Sequence, residues 1–241
     1  MPRILAALLL FLAAASAFAQ AQPAKAQRVL FIGNSLTAGI PERVAKLARA
    51  MGRDVAIESV VANGFSLEDH WNDGRARDAI RKGWDVVVLQ QGTSSQADTR
   101  RELVEYTRRF AREIRAAGAK PALYMIWPLV DRPKEFPDVI EAYREAAHAV
   151  DGILIPAGEA WLRVISKDKR SRLYGDAIHP SSIGSDLTVL TIYLTLFPAG
   201  PTEFDERYVT RIADELGIAV SRRDLFFDAA TRAIDEPLLI K

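Results

Sequence analysis

The sequence predicts an α/β fold, a three-layer α/β/α sandwich around a mostly parallel five-stranded sheet. Five short apolar runs, at 28–32, 55–61, 84–89, 121–127 and 153–155, alternate with stretches of helical periodicity. The runs are nearly unbroken rather than alternating, as in strands covered on both faces. At 241 residues, 49% apolar and 26% charged, the chain is long enough for one sizeable domain and too short for two ordinary ones.

Taken in order, residues 28–32 run straight into Gly33 and form the first strand. Val44, Leu47, Ala48 and Met51 then recur at helical spacing until Gly52 stops the helix at 40–51. Residues 55–61 and 84–89 are the second and third strands. The helix predicted over 98–117 carries Leu103, Phe110 and Ile114 on one face and ends at Gly118. Its arginines (100, 101, 108, 109, 112 and 115) interleave with Glu102, Glu105 and Glu113 at ion-pairing distances. That pattern marks a solvated face rather than a nucleic-acid surface. Residues 121–127 give the fourth strand, 139–150 a helix and 153–155 the fifth strand. Ser181 or Ser182 can cap a further helix through Leu187, Leu190 and Leu194. The domain spans 28–241, and its C-terminal flank, 198–241, is helical around 205–217 and 222–234 without an assignable role.

Residues 1–19 read as a signal peptide: Arg3 supplies positive charge, 4–15 are apolar, and Ala17 and Ala19 suit a signal peptidase. A retained anchor is the alternative, although the run is short for crossing a bilayer. A polar leader, 20–27, follows. The reading implies an exported, periplasmic or secreted protein with no membrane association after cleavage. Net charge is +1, from 32 basic and 31 acidic residues, and loss of Arg3 with the leader brings it to zero. Nothing in this balance favours nucleic acid or anionic lipid as a partner. Cysteine is absent, which excludes disulfides, thiolate metal sites and cysteine nucleophiles.

Two segments could carry chemistry. In Phe31-Ile32-Gly33-Asn34-Ser35-Leu36-Thr37 a buried strand delivers a serine to its carboxyl end, where open α/β sheets bind ligands. Ser35 is there a nucleophile or a cap for the following helix. In Asp176-Ala177-Ile178-His179-Pro180 the spacing lets a carboxylate reach Nδ1 of the imidazole, leaving Nε2 turned outward. A serine hydroxyl needs such an imidazole to take its proton, and the imidazole needs the carboxylate to hold its tautomer. An incidental surface pair is the alternative.

Together the segments resemble the SGNH (GDSL-like) hydrolase superfamily over residues 28–197. Gly33-Asn34-Ser35 is similar to its first block, with Asn34 where Asp is more usual, and Asp176-x-x-His179-Pro180 to its last. The α/β-hydrolase alternative lacks support because no G-x-S-x-G occurs. The resemblance implies a flavodoxin-like SGNH fold and a triad of Ser35, Asp176 and His179. It also implies an oxyanion hole from the Ser35 N–H, a glycine after the second strand, which Gly64 fits, and an asparagine after the third. Here the third block departs from pattern: Gly92 matches, but Ser94 stands in the asparagine position. Ser94, Gln90 or Gln91 could supply the donor, with Gln90 slightly favoured by branches reading Leu-Gln. Alternatively, both glutamines brace neighbouring loops.

His70 and Trp71 either line the substrate cleft or pack as a buried aromatic beside a satisfied histidine. His148 reads as surface. No metal cluster or dinucleotide fingerprint is visible, and the implied chemistry needs no cofactor. The expected activity is hydrolysis of carboxylic esters, with O-acylated glycans or small acyl esters as substrates. An acyltransferase using the same site, or a non-catalytic carbohydrate-binding envelope protein, are the rivals. Oligomeric state is not indicated.

Overall fold

The five apolar runs form one all-parallel sheet in a computed structural model that describes residues 26–200 and 202–239. The leader expected at 1–19 lies outside those residues. The strands are β1 (Gln27–Gly33), β2 (Val55–Val61), β3 (Val86–Leu89), β4 (Lys120–Tyr124) and β5 (Ile153–Ile155), in the spatial order β2-β1-β3-β4-β5. From β1 the chain goes first to one neighbour and later to the other. Ile32 therefore stands between Val60 and Leu89 in register, and the sheet's switch point lies above the carboxyl end of β1. Val29 to Ile32 are wholly buried, as their unbroken apolar run requires.

Nine helices cover the sheet among the described residues: α1 (Ile40–Ala50), α2 (Leu67–Asp73), α3 (Arg75–Ile80), α4 (Ala97–Ala116), α5 (Phe136–His148), α6 (Ala157–Lys167), α7 (Ser182–Leu196), α8 (Glu206–Leu216) and α9 (Val220–Asp235). They pack as two groups, α2 to α5 and α1 with α6 to α9, which are the outer layers of the sandwich. On α4, Arg109 pairs with Glu105 at 2.5 Å and Arg100 reaches Glu141 at 3.1 Å. None of the helices among the described residues is long and apolar enough to cross a membrane.

Three departures from the sequence expectation have physical causes. The fourth strand, expected over 121–127, stops at Tyr124 because its neighbours β3 and β5 have ended. Met125, Ile126 and Trp127 stay fully buried beyond it, and the Met125 N–H makes the last link to the sheet, donating to the Ile155 carbonyl at 3.0 Å. Next, α2, α3 and α6 fill segments that carried no helix expectation. The first of these is started by a capping box: Ser66 Oγ accepts the Asp69 N–H, and Asp69 accepts the Ser66 N–H at 2.9 Å.

The flank also gains a role. α7 is buried on nearly every side, from Leu187 through Leu194, so it needs a second layer outside it, and α8 and α9 provide that layer. The chain end is then clamped by an almost inaccessible carboxylate. Glu159 binds Arg144 at 2.5 Å and Arg163 at 3.1 Å and accepts the Leu238 N–H at 2.7 Å. Removing one member of a buried ion cluster leaves the others uncompensated. Glu159→Ala is expected to lower stability by about 3 kcal/mol in urea unfolding, with the 236–239 segment opening first to hydrogen exchange.

Candidate active site

The turn after β1 is built around one buried carboxamide. Gln90 Oε1 accepts the Asn34 N–H at 2.9 Å and the Thr37 hydroxyl at 2.8 Å. A Cβ on Gly33 would lie 2.5 Å from that same oxygen and 2.3 Å from Thr37 Oγ1, so only glycine lets the glutamine seat. Asn34 completes the turn: Oδ1 accepts the Leu36 N–H at 3.1 Å, and Nδ2 donates to the Phe65 carbonyl at 3.2 Å. The turn that carries Ser35 is thereby tied to the loop after β2. Ser35 sits half-buried at its apex, and its N–H has no acceptor among the described residues. It caps nothing: the N-cap position of α1 is Gly39, and the helix has no side-chain cap.

The turn from 174 to 180 arrives opposite. Tyr174 and Pro180 bridge, and the Gly175 N–H donates to the His179 carbonyl at 2.8 Å, which closes the segment into a tight loop. Asp176 Oδ1 accepts the N–H groups of Ile178 at 2.8 Å and His179 at 2.7 Å, and Oδ2 lies 2.8 Å from His179 Nδ1. Those two main-chain N–H groups, then the imidazole, hold the carboxyl pKa down to about 2. An ionised Asp176 can only accept, so Nδ1 carries the proton and Nε2 is left as an acceptor. Nε2 is 2.9 Å from Ser35 Oγ. The structure thus joins three residues that the sequence holds up to 144 positions apart. After them, Ser181 is the residue that caps α7, accepting the Gly184 N–H at 3.1 Å.

Sequence reasoning missed what fixes this loop. The Trp127 indole N–H donates to the Ile178 carbonyl at 2.8 Å, and the Val130 N–H donates to the Ala177 carbonyl at 2.9 Å. Trp127 is itself stacked on Trp161, with centroids 3.5 Å apart and planes 5° apart. Its only sequence signal is a tryptophan at the end of an apolar run, where packing explains it equally well. Trp127→Phe retains the stacking ring and deletes the donor. The expected result is about a tenfold fall in kcat on a short ester with KM unchanged, since substrate contacts remain and imidazole aim does not.

Gly64 has φ 76°, the left-handed region that favours glycine, and is exposed after β2; its N–H has no acceptor among the described residues. The expected third donor needs correction. Besides accepting at Oε1, Gln90 donates to the Gln91 carbonyl and is wholly buried. Gln91 accepts the Leu67 N–H at 3.0 Å and donates to Ser94 Oγ and the Thr99 carbonyl. Ser94 Oγ turns back onto the Gly92 carbonyl at 3.3 Å. All three side chains brace loops around the site. The loop is also pinned by Tyr143, whose hydroxyl donates to the Gln91 carbonyl at 2.6 Å.

Of the two readings of His70 and Trp71, the structure has the packed one and not the substrate cleft. Fully buried, His70 has Nε2 2.9 Å from the Gly33 carbonyl and its ring edge against Phe65. Trp71 lies edge-on to Phe110 with Arg77 over its face. Both belong to the packing of α2. Burial lowers the His70 pKa below the ordinary 6.5, against a smaller opposing pull from the Gly33 carbonyl. Below 6.5 the unfolded chain therefore binds a proton that the folded chain refuses, and stability is lost as pH falls. The melting temperature is expected to drop from pH 7 to pH 5, and less so in His70→Gln. His148 is exposed, and no cluster of metal-ligating side chains occurs among the described residues.

No family model and no curated protein matches the sequence. Solved structures do. A candidate SGNH hydrolase from Slackia heliotrinireducens is 25% identical, with a TM-score of 0.60, over 71% of this chain and 99% of that one. The chain belongs to the SGNH hydrolase superfamily. The same fold is shared by two esterases. One is Axe2, an acetyl xylan esterase from Geobacillus stearothermophilus, at 16% identity and TM-score 0.55 over 80% of this SGNH hydrolase and 96% of Axe2. The other is the psychrotrophic esterase EstA from Pseudoalteromonas sp., solved with monoethylphosphonate as inhibitor, at 15% identity and TM-score 0.54 over 70% and 96% of the two chains.

Proposed function

We propose that this SGNH hydrolase cleaves carboxylic esters through an acyl-enzyme on Ser35. The observation that carries the reading is the hydrogen-bonded series from Asp176 Oδ2 through the His179 ring to Ser35 Oγ, with both links under 3 Å. His179 Nε2 takes the hydroxyl proton as Oγ attacks the ester carbonyl, and Asp176 stabilises the imidazolium. The negative oxygen of the tetrahedral intermediate is received by the main-chain N–H groups of Ser35 and Gly64, which have no acceptor to give up among the described residues. The imidazolium then protonates the leaving alcohol, and water repeats the sequence on the acyl-enzyme.

Water as the acceptor is supported by the openness of the site. The side chains of His179 and Asp176 are 43% and 57% exposed, so solvent reaches the imidazole that must activate it. For substrate we propose O-acetyl groups on glycans or similarly short esters, in keeping with the export expected from residues 1–19 and the xylan esterase among the neighbours. The test is to mix the full chain with 4-nitrophenyl acetate and with acetylated xylo-oligosaccharides. Acetate release and a transient acetyl adduct on the protein are expected. An inert protein with every ester would contradict the reading.

A further inference from the structure

We infer that a cavity flanking the His179 loop is a subsite for a part of the substrate that ends an apolar stretch in a negative charge. The inference rests on the ester-hydrolase reading above for what occupies the site, but its chemistry is independent of the triad. The cavity holds about 400 Å³, and its walls include Val130, Phe136, Leu173 and Tyr174, with Lys169 and Arg172 among the lining and no carboxylate. Two of these residues touch the catalytic loop directly. Tyr174 forms the bridge with Pro180, and the Val130 N–H holds the Ala177 carbonyl.

Charge and backbone point the same way. Lys167, just before the lining, is paired with Asp228 at 2.6 Å, whereas Lys169 and Arg172 have no carboxylate partner among the described residues. Asp168, the one acid between Lys167 and Arg172, is turned onto the Arg170 N–H at 2.9 Å. Arg172 also has φ 51°, a left-handed conformation that a residue with a side chain resists. It is held there by Ser181, whose hydroxyl donates to the Arg172 carbonyl at 2.7 Å. Strained residues persist where surrounding structure enforces them, commonly at ligand clamps. Val130, at 49% exposure, leaves apolar surface open to an occupant. An alkyl segment would displace water from Val130, Ile165 and Tyr174, over the buried Phe136 and Leu173, while a terminal carboxylate would meet the guanidinium of Arg172 and the ammonium of Lys169.

The probes are hexanoate and hexanamide, equal in shape and different in charge, titrated calorimetrically into the Ser35→Ala full chain. Hexanoate is expected to bind about tenfold more tightly at low salt, the effect of two exposed ion pairs. The preference should shrink in high salt and disappear in Lys169→Glu/Arg172→Glu. Arg172→Gly, which removes the side chain while suiting the backbone angle, should weaken it even if the double variant folds poorly. Equal affinity for both probes, no binding of either, or a preference untouched by these changes would overturn the inference. Hydrolysis of 4-nitrophenyl acetate by the unmodified chain separates the two readings. Turnover without charge preference leaves the esterase and removes the subsite; charge preference without turnover does the reverse.

Discussion

Ser35→Ala is expected to lower the turnover of a short neutral ester by on the order of 10⁴-fold or more while leaving KM nearly unchanged. Ser35 Oγ is the atom that His179 Nε2 faces at 2.9 Å, and the substitution removes it without disturbing the network beneath. Gln90 still accepts the Asn34 N–H and the Thr37 hydroxyl, and Asn34 still binds the Phe65 carbonyl. The proposed oxyanion donors are main-chain groups that survive the change, so a residual rate above that of water is expected. A variant that keeps more than about a tenth of the activity would mean that some other group attacks the carbonyl.

Asp176→Asn is expected to cost about 10⁴-fold in kcat for a different reason, the wrong tautomer. The carbonyl of the new amide can occupy the Oδ1 position, where it would keep the N–H bonds of Ile178 and His179. Its NH₂ would then face Nδ1 and donate to it, forcing the ring proton onto Nε2. An imidazole protonated at Nε2 cannot take the serine proton. The wild-type pH profile carries a related signature. With the Asp176 pKa held at about 2, the carboxylate stays charged through mildly acidic pH. Protonation of the aspartate should therefore add no step to the acid limb of log kcat/KM until the pH nears 2. A slope of two between pH 4 and pH 6 would show that the aspartate titrates there as well.

The fold and the two ends of the Asp176–His179–Ser35 series were legible because each is encoded locally. A continuous apolar run stopping at Gly-Asn-Ser places Ser35 at a strand's carboxyl end, and Asp176-x-x-His179 is a turn that completes its own hydrogen bonds. What surrounds them is not local. Gln90 reads as a polar residue ending a strand, and its role depends on Asn34 and Thr37 lying across from it, more than fifty residues away. The burial of His70 depends in the same way on the Gly33 carbonyl and on Phe65. The end of β4 is set by the length of its neighbours, and the place of α8 and α9 by the surface that α7 leaves uncovered. The third block stayed open between a donor and a loop brace for this reason: side chains able to donate were visible, but not the particular groups that claim them.

The most direct measurement is reaction of the full chain with a fluorophosphonate, followed by mass spectrometry of the labelled peptide. One stoichiometric adduct on Ser35 is expected, absent when His179 is replaced by alanine. An unmodified protein, or a label on another serine with Ser35 left free, would contradict the assignment of Ser35 as an activated nucleophile.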